Sequence, residues 1–227
     1  MKQLLNQRFL VPRSSAMAEV TEMAARYGDV INLSIGDPDI PTPRGIIQQV
    51  YEDALAGHTK YTDPRGYPEL RQAIRDFYRE EYGDQVEDQE VFVTASGVVG
   101  MYLAMQVILD PGDEVIIPDP YFTCYADQVQ AAGGVPVFLP TREEEGFAID
   151  LERLESLVTP RTKAVLINTP NNPPGPVSPE SSWSSWRSSA WGTTCMWWPM
   201  ISIPTSPTGS RSSPSGRCRG WGSGPSR

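Results

Sequence analysis

Apolar positions along this chain recur at two periods, and the alternation between them predicts the elements. Over 14–27, Ala16, Val20, Met23 and Ala24 fall on one helical face, with serines before them to cap the start and Gly28 to end it. The run Val30-Ile31-Asn32-Leu33-Ser34-Ile35 reads as a short strand. Helices are predicted over 43–56 and from Pro68, where Leu70, Ile74, Phe77 and Tyr78 share a side and the proline suits a first helical turn. From Val91 the pattern becomes regular: a strand over 91–94, a helix over 98–109, then a strand over 114–118. A further helix opens at Asp119-Pro120-Tyr121-Phe122 and stops at Gly133-Gly134, before a strand over 135–138. Asp150 caps a helix carrying Leu151, Leu154 and Leu157, and Lys163 begins the last strand. Strands alternating with helices at this spacing predict an α/β fold, a three-layer sandwich whose mainly parallel sheet is covered on both faces.

Three junctions in this pattern carry polar chemistry. The apolar run Ala164-Val165-Leu166-Ile167 ends in Asn168-Thr169-Pro170-Asn171-Asn172-Pro173-Pro174-Gly175, at the carboxyl edge of the sheet where open α/β folds bind ligands. Asn172 is a candidate ligand contact there, although Pro and Asn also build turns for their own reasons. Ser96-Gly97, at a strand-to-helix junction, has the form of an anion site, since free N–H groups of a first helical turn and the helix dipole both favour phosphate. The same pair serves equally as a cap with a packing glycine. Phe122, beyond the next strand, offers a flat face for a planar ring or a side chain for the core. The loop Gly36-Asp37-Pro38-Asp39-Ile40-Pro41-Thr42-Pro43 has a fixed backbone, either a rigid connector or a place where Gly36 lets a ligand approach the main chain. No phosphate-loop lysine and no G-x-G-x-x-G is present, so a phosphate carrying a small organic group fits better than ATP or a dinucleotide.

Composition divides the chain. The 28 acidic residues all lie at or before Glu180, where 14 basic residues leave a net −14, whereas 181–227 holds no acid and no lysine, only five arginines, with all six tryptophans and fourteen serines. Such a tail has no period to follow and too few aliphatic residues for a core, so it is expected to be unstructured. It reads as a disordered extension, a basic aromatic arm for nucleic acid or a partner, or the right gene in the wrong frame. Single-codon Met and Trp discriminate. Read from the third base of each codon, 196–200 gives Val, Val, Ala, a position that permits Asp, and Asp, with Ile and Tyr allowed next. A strand of that kind is what an α/β sheet needs at this point, which favours a frame slip between Gly175 and Ser182.

Other chemistry is thin. Cys124, Cys195 and Cys218 lack metal-ligand spacing, and the single histidine, His58, has no identifiable triad partner. No apolar run has the form of a signal peptide or a membrane span, so a soluble cytoplasmic protein is expected, with no metal, no membrane and no nucleic acid.

Five stretches in order carry a resemblance. Leu33-Ser34-Ile35-Gly36-Asp37-Pro38-Asp39, Lys60-Tyr61 with Gly66-Tyr67-Pro68-Glu69-Leu70-Arg71, Asp110-Pro111-Gly112-Asp113-Glu114-Val115, Asp119-Pro120-Tyr121, and Asn168 through Gly175 are similar to the fold-type I, class I/II aminotransferases that use pyridoxal 5′-phosphate. The resemblance spans about 14–180 and implies the large domain of that fold, incomplete here. It implies that Gly36 meets the substrate carboxylate, that Tyr61 reaches the cofactor phosphate of the other subunit of a homodimer, and that Ser96, Gly97 and Val98 hold the phosphate. Val98 stands where the family commonly has a hydroxyl or basic residue, so only its N–H can serve. Phe122 would stack on the pyridine ring and Asn172 would bond its phenolic oxygen. Pro174 departs from the family's threonine, and the bonds before Pro120 and Pro173 are expected to be cis, as proline permits.

The family's chemistry needs a Schiff-base lysine and an aspartate on the ring nitrogen. Only Lys2, Lys60 and Lys163 exist, and none matches, so no catalytic residue is assigned and the chain is expected to be inactive. The organisation expected is 1–44 as an N-terminal helix and substrate-side segment, 45–180 as a partial cofactor-binding large domain, and 181–227 as an aberrant tail. By family the function is amino-group transfer between an amino acid and a 2-oxo acid. A lyase or decarboxylase on the same fold, or a non-enzymatic scaffold with a binding tail, stand as alternatives.

Overall fold

This computed structural model describes residues 16–27, 29–31, 36, 40–176 and 196–200. Most of the strand expected over 30–35, the Asp37-Pro38-Asp39 stretch and nearly all of the tail lie outside them.

The chain divides into two compact units, Met1–Tyr61 and Thr62–Arg227. Helix α1 (Ala16–Ala24) and helix α2 (Arg44–Leu55) make up the described helices of the first unit. None of the residues of α2 is buried, and Ile46, Ile47, Val50, Tyr51 and Leu55 leave an apolar side open.

The second unit is built on a sheet. Strands β1 (Glu114–Asp119), β2 (Val135–Pro140) and β3 (Thr162–Asn168) pair in parallel with β1 between the other two. Val115, Ile117, Ala164 and Leu166 face one way, against helix α4 (Gly97–Ile108) and helix α5 (Cys124–Ala131). Ile116, Val165 and Ile167 face the other way with Leu139, against Leu154 of helix α6 (Leu151–Ser156). A sheet buried on both faces needs continuous apolar runs rather than alternation, which is why these strands read so plainly. Asp150 caps α6 as expected, accepting from the N–H groups of Glu152 (3.0 Å) and Arg153 (3.2 Å).

Two expectations are corrected. Residues 91–94 form no strand: Val91 is buried, but the Val93 N–H goes to Arg65 O (3.0 Å) and no described strand pairs with the segment. An apolar run without a neighbouring ladder stays extended chain. Within the tail expected to be unstructured, strand β4 (Met196–Met200) pairs in parallel with β3, completing the order β2-β1-β3-β4. Its Pro199 lacks an N–H, which an edge strand tolerates.

Helix α3 (Pro68–Tyr82) is tied down by a buried cation. Arg71, 5% exposed, donates to Gly66 O (2.5 Å) and to Asp88 Oδ1 (3.0 Å), so one guanidinium fastens the 62–67 loop and the 88–90 turn to the helix. The mutual hydrogen bond lowers the Asp88 carboxyl below its ordinary range and raises Arg71 further.

Candidate functional site

The carboxyl ends of β1 and β3 lie side by side because the strands are parallel neighbours. The start of α4 joins them. Six residues after Ile108 the chain enters β1 at Glu114, so α4 ends beside the start of β1. Its 12 residues, about 18 Å at 1.5 Å per residue, return the helix N-terminus to the far edge. Two hydrogen bonds tie the three junctions: Asn171 Nδ2 donates to Pro120 O (3.4 Å), and Gln128 Nε2 of α5 donates to Val98 O (2.8 Å).

The α4 junction has the form of an anion cradle. Ser96 is the cap residue, and its Oγ accepts from the Val99 N–H (3.2 Å). Its carbonyl accepts from Thr94 Oγ1 (2.8 Å) and the Gly100 N–H (3.0 Å). The Gly97 and Val98 N–H groups make no hydrogen bond to a described residue and remain as donors at the positive end of the helix. A Cβ at Gly97 would meet nothing within 4 Å, so the space beside its Cα is open. Ser96, Gly97 and Val98 are all exposed.

The β3 loop divides its work between two adjacent asparagines. Asn171 builds the turn: its N–H donates to Pro176 O (2.9 Å) and its carbonyl accepts from Gly175 N–H (2.7 Å). Asn172 is exposed, and its side chain makes no hydrogen bond to a described residue. Turn building and ligand contact are therefore compatible in this loop, on different residues. The bonds before Pro120 and Pro173 are cis, as is that before Pro170. Phe122 is half-buried at the margin of the α4–α5 core, in edge contact with Tyr125. Beneath these loops, Tyr121, Tyr125, Phe147, Asn168 and Asn171 help line a cleft with about 370 Å³ of empty space, partly open to solvent. Asn168 Oδ1 is buried there without a hydrogen-bond partner among the described residues.

Tyr61 and Gly36 belong to the other unit, and both are exposed. Of the described lysines, Lys60 is exposed in that unit, and Lys163 is the second residue of β3, beside Asp113 at 4.0 Å. At about 3.3 Å per residue, Lys163 lies roughly 16 Å from Asn168, at the wrong end of the strand for a ligand held by these loops. No cluster among the described residues suits a metal ion, and no described helix is long and apolar enough to cross a membrane.

Sequence reading passed over Gln128 and Thr94. The signal for Gln128 was present, since it stands three residues after Tyr125 and next to Val129, on the buried face of α5.

A profile of the family described as aminotransferase class I and II matches residues 28–187. The chain is 43% identical over 172 residues to the probable aspartate/prephenate aminotransferase of Thermus aquaticus, a match covering 74% of this chain and 45% of that protein. It is 40% identical over 171 residues to the aspartate aminotransferase of Pyrococcus horikoshii, covering 75% and 44%. Among solved structures, the aspartate aminotransferase of Rhizobium meliloti superposes with a TM-score of 0.78 at 34% identity, over 87% of this chain and 50% of that one. The chain thus spans less than half the length of these curated relatives. With a parallel sheet, its edge loops and these likenesses in agreement, the chain belongs to the class I and II aminotransferases, a family that works with pyridoxal 5′-phosphate.

Proposed function

We propose that this chain carries the cofactor-gripping rim of an amino-acid aminotransferase, binds pyridoxal 5′-phosphate reversibly, and does not itself exchange amino groups. The observation that carries the reading is the α4 junction: two N–H groups without a hydrogen bond to a described residue, beside an uncrowded Gly97 Cα, at the sheet edge shared with the Asn172 loop. Gly97 and Val98 donate to the phosphate through their N–H groups, with the Ser96 hydroxyl beside them. Phe122 supports one face of the ring, and the Asn172 amide donates to the phenolic oxygen. When bound, pyridoxal 5′-phosphate supplies an electron sink for the α-carbon of an amino acid. A cytoplasmic homodimer brings Tyr61 of one copy to the phosphate of the other, and the Gly36 main chain meets the substrate carboxylate. Substrates are an amino acid and a 2-oxo acid, and the names of the relatives make aspartate the first to try.

The chain's own lysines do not complete this site. Lys163 sits at the opposite end of β3, and covalent attachment is therefore not expected. A frame slip between the codons for Gly175 and Ser182 accounts for the loss. Its support is the codon arithmetic, together with the pairing of Met196–Met200 beside β3 at the positions where the shifted frame reads Val-Val-Ala-Asp-Asp.

Borohydride reduction of the full chain with pyridoxal 5′-phosphate, followed by mass spectrometry, tests the lysine reading. Saturable binding in dialysis without a lysine fixed by reduction is expected. Reductive fixation at one lysine with turnover of aspartate would overturn it. Sequencing the DNA across those codons tests the slip.

A further inference from the structure

We propose that Gln128 is a positioning residue for the phosphate-binding turn, acting on the peptide between Val98 and Val99. The proposal rests on the cofactor reading above. Gln128 Nε2 donates to the carbonyl of that peptide, Val98 O, at 2.8 Å, and Ser96 Oγ accepts from its N–H, on Val99, at 3.2 Å. One peptide plane is thus held from both ends, by side chains of α5 and of the α4 cap. What remains free is the pair of N–H groups just before it, on Gly97 and Val98. Those N–H groups belong to the two preceding peptides, joined to the held plane through Val98 Cα, so fixing that plane limits how they turn, and preorganised donors act only when aimed at where the charge will be.

The chemistry of Gln128 argues that stability alone does not account for it. The residue is 8% exposed, and its Oε1 is buried without a hydrogen-bond partner among the described residues. A buried amide that meets only half its hydrogen-bonding capacity is unfavourable beside an apolar side chain of like volume. Methionine would fill the same space between α4 and α5 without an unmet oxygen. Among the described residues the amide is bonded through its donor half, and that partner is the phosphate-binding turn. Because Gln128 lies six residues after Phe122, on the helix that the Phe122 loop enters, the same bond links the ring-supporting loop to the phosphate-supporting helix.

The experiment compares Gln128→Met with the unaltered full chain, measuring dialysis affinities for pyridoxal 5′-phosphate and for pyridoxal, which lacks the phosphate. The variant is expected to lose about tenfold in affinity for the phosphorylated compound, the scale of one hydrogen bond, with pyridoxal changed by less than about twofold. Its melting temperature should be equal or higher. Equal losses for both compounds, or no loss, overturn the proposal. An unaltered chain that binds both compounds alike removes the cofactor reading, and this proposal with it. Should Gln128→Met fail to fold, amide exchange in the unaltered chain decides: pyridoxal 5′-phosphate should slow exchange at Gly97 and Val98 and leave Val99, already bonded, unchanged. New protection at Val99 alone overturns the assignment.

Discussion

The ring of Tyr125 meets Phe122 edge-on, 5.6 Å between centroids and 66° between planes, where the exit loop of β1 enters α5. Burial pushes the Tyr125 phenol up to about 12. An unfolded tyrosine titrates near about 10, so above that pH the unfolded chain releases a proton that the folded chain keeps. Stability contributed by Tyr125 is complete below the unfolded value and is lost as pH rises through the folded one. Melting temperature is expected to fall across that alkaline window, and Tyr125→Phe should flatten the fall. An unchanged slope in the variant would assign the loss to another group.

Acid acts at the opposite end of the scale. Asp88 has its carboxyl held low, first by the hydrogen bond from Arg71 and then by the charges of Arg71 and Arg65. Its contribution is present above the unfolded value and lost as pH falls through the folded one. Asp88→Asn should lower the melting temperature at neutral pH and shrink the difference from the unaltered chain as the solution is acidified. Arg71→Met should lower the melting temperature more at neutral pH than at acid pH, because it leaves Asp88 without its main partner.

Lys163 is the one described lysine in the sheet, and its position separates chemistry from scaffolding. Lys163→Ala is expected to leave pyridoxal 5′-phosphate affinity unchanged in dialysis. A partly exposed ion pair with Asp113 at 4.0 Å predicts a stability change within about 1 kcal/mol by denaturant titration. Loss of cofactor binding in this variant would put the site on the wrong edge.

Gly66 holds the loop that Arg71 clamps. Its φ is +100°, and a Cβ there would stand 2.7 Å from Cβ and Cγ2 of Val93, a β-branched side chain with little room to turn. Gly66→Ala should cost about 2–4 kcal/mol, combining left-handed strain with overpacking. Urea unfolding measures it, and a loss under about 1 kcal/mol would mean that the loop relaxes freely.

The sequence was most legible where burial was double-sided. β1 and β3 are short apolar runs between turn signals, and Asp150 announces α6. The run at 91–94 looks the same on paper, yet nothing local says whether a neighbour exists to pair with it. Pro, Gly and Asn mark the edge loops because turn geometry demands them, so Ser96, Phe122 and Asn172 could be nominated from their neighbours alone. Arg71 and Gln128 were harder, since a charged or amide side chain reads as surface until its helical face is known. β4 was not legible in its residues, because Trp197, Trp198 and Pro199 sit in a stretch with no strand period to follow.

The ladder between β3 and β4 joins main-chain atoms, which every amino acid but proline supplies in full, so it reports the path of the backbone and almost nothing about the letters it carries. A gene that slips its register there can keep an intact far-ultraviolet spectrum while the groups meant to do chemistry are gone. For this chain, then, a far-ultraviolet spectrum or a melting curve reads the ladder alone, and only assays that interrogate side chains measure competence as a catalyst.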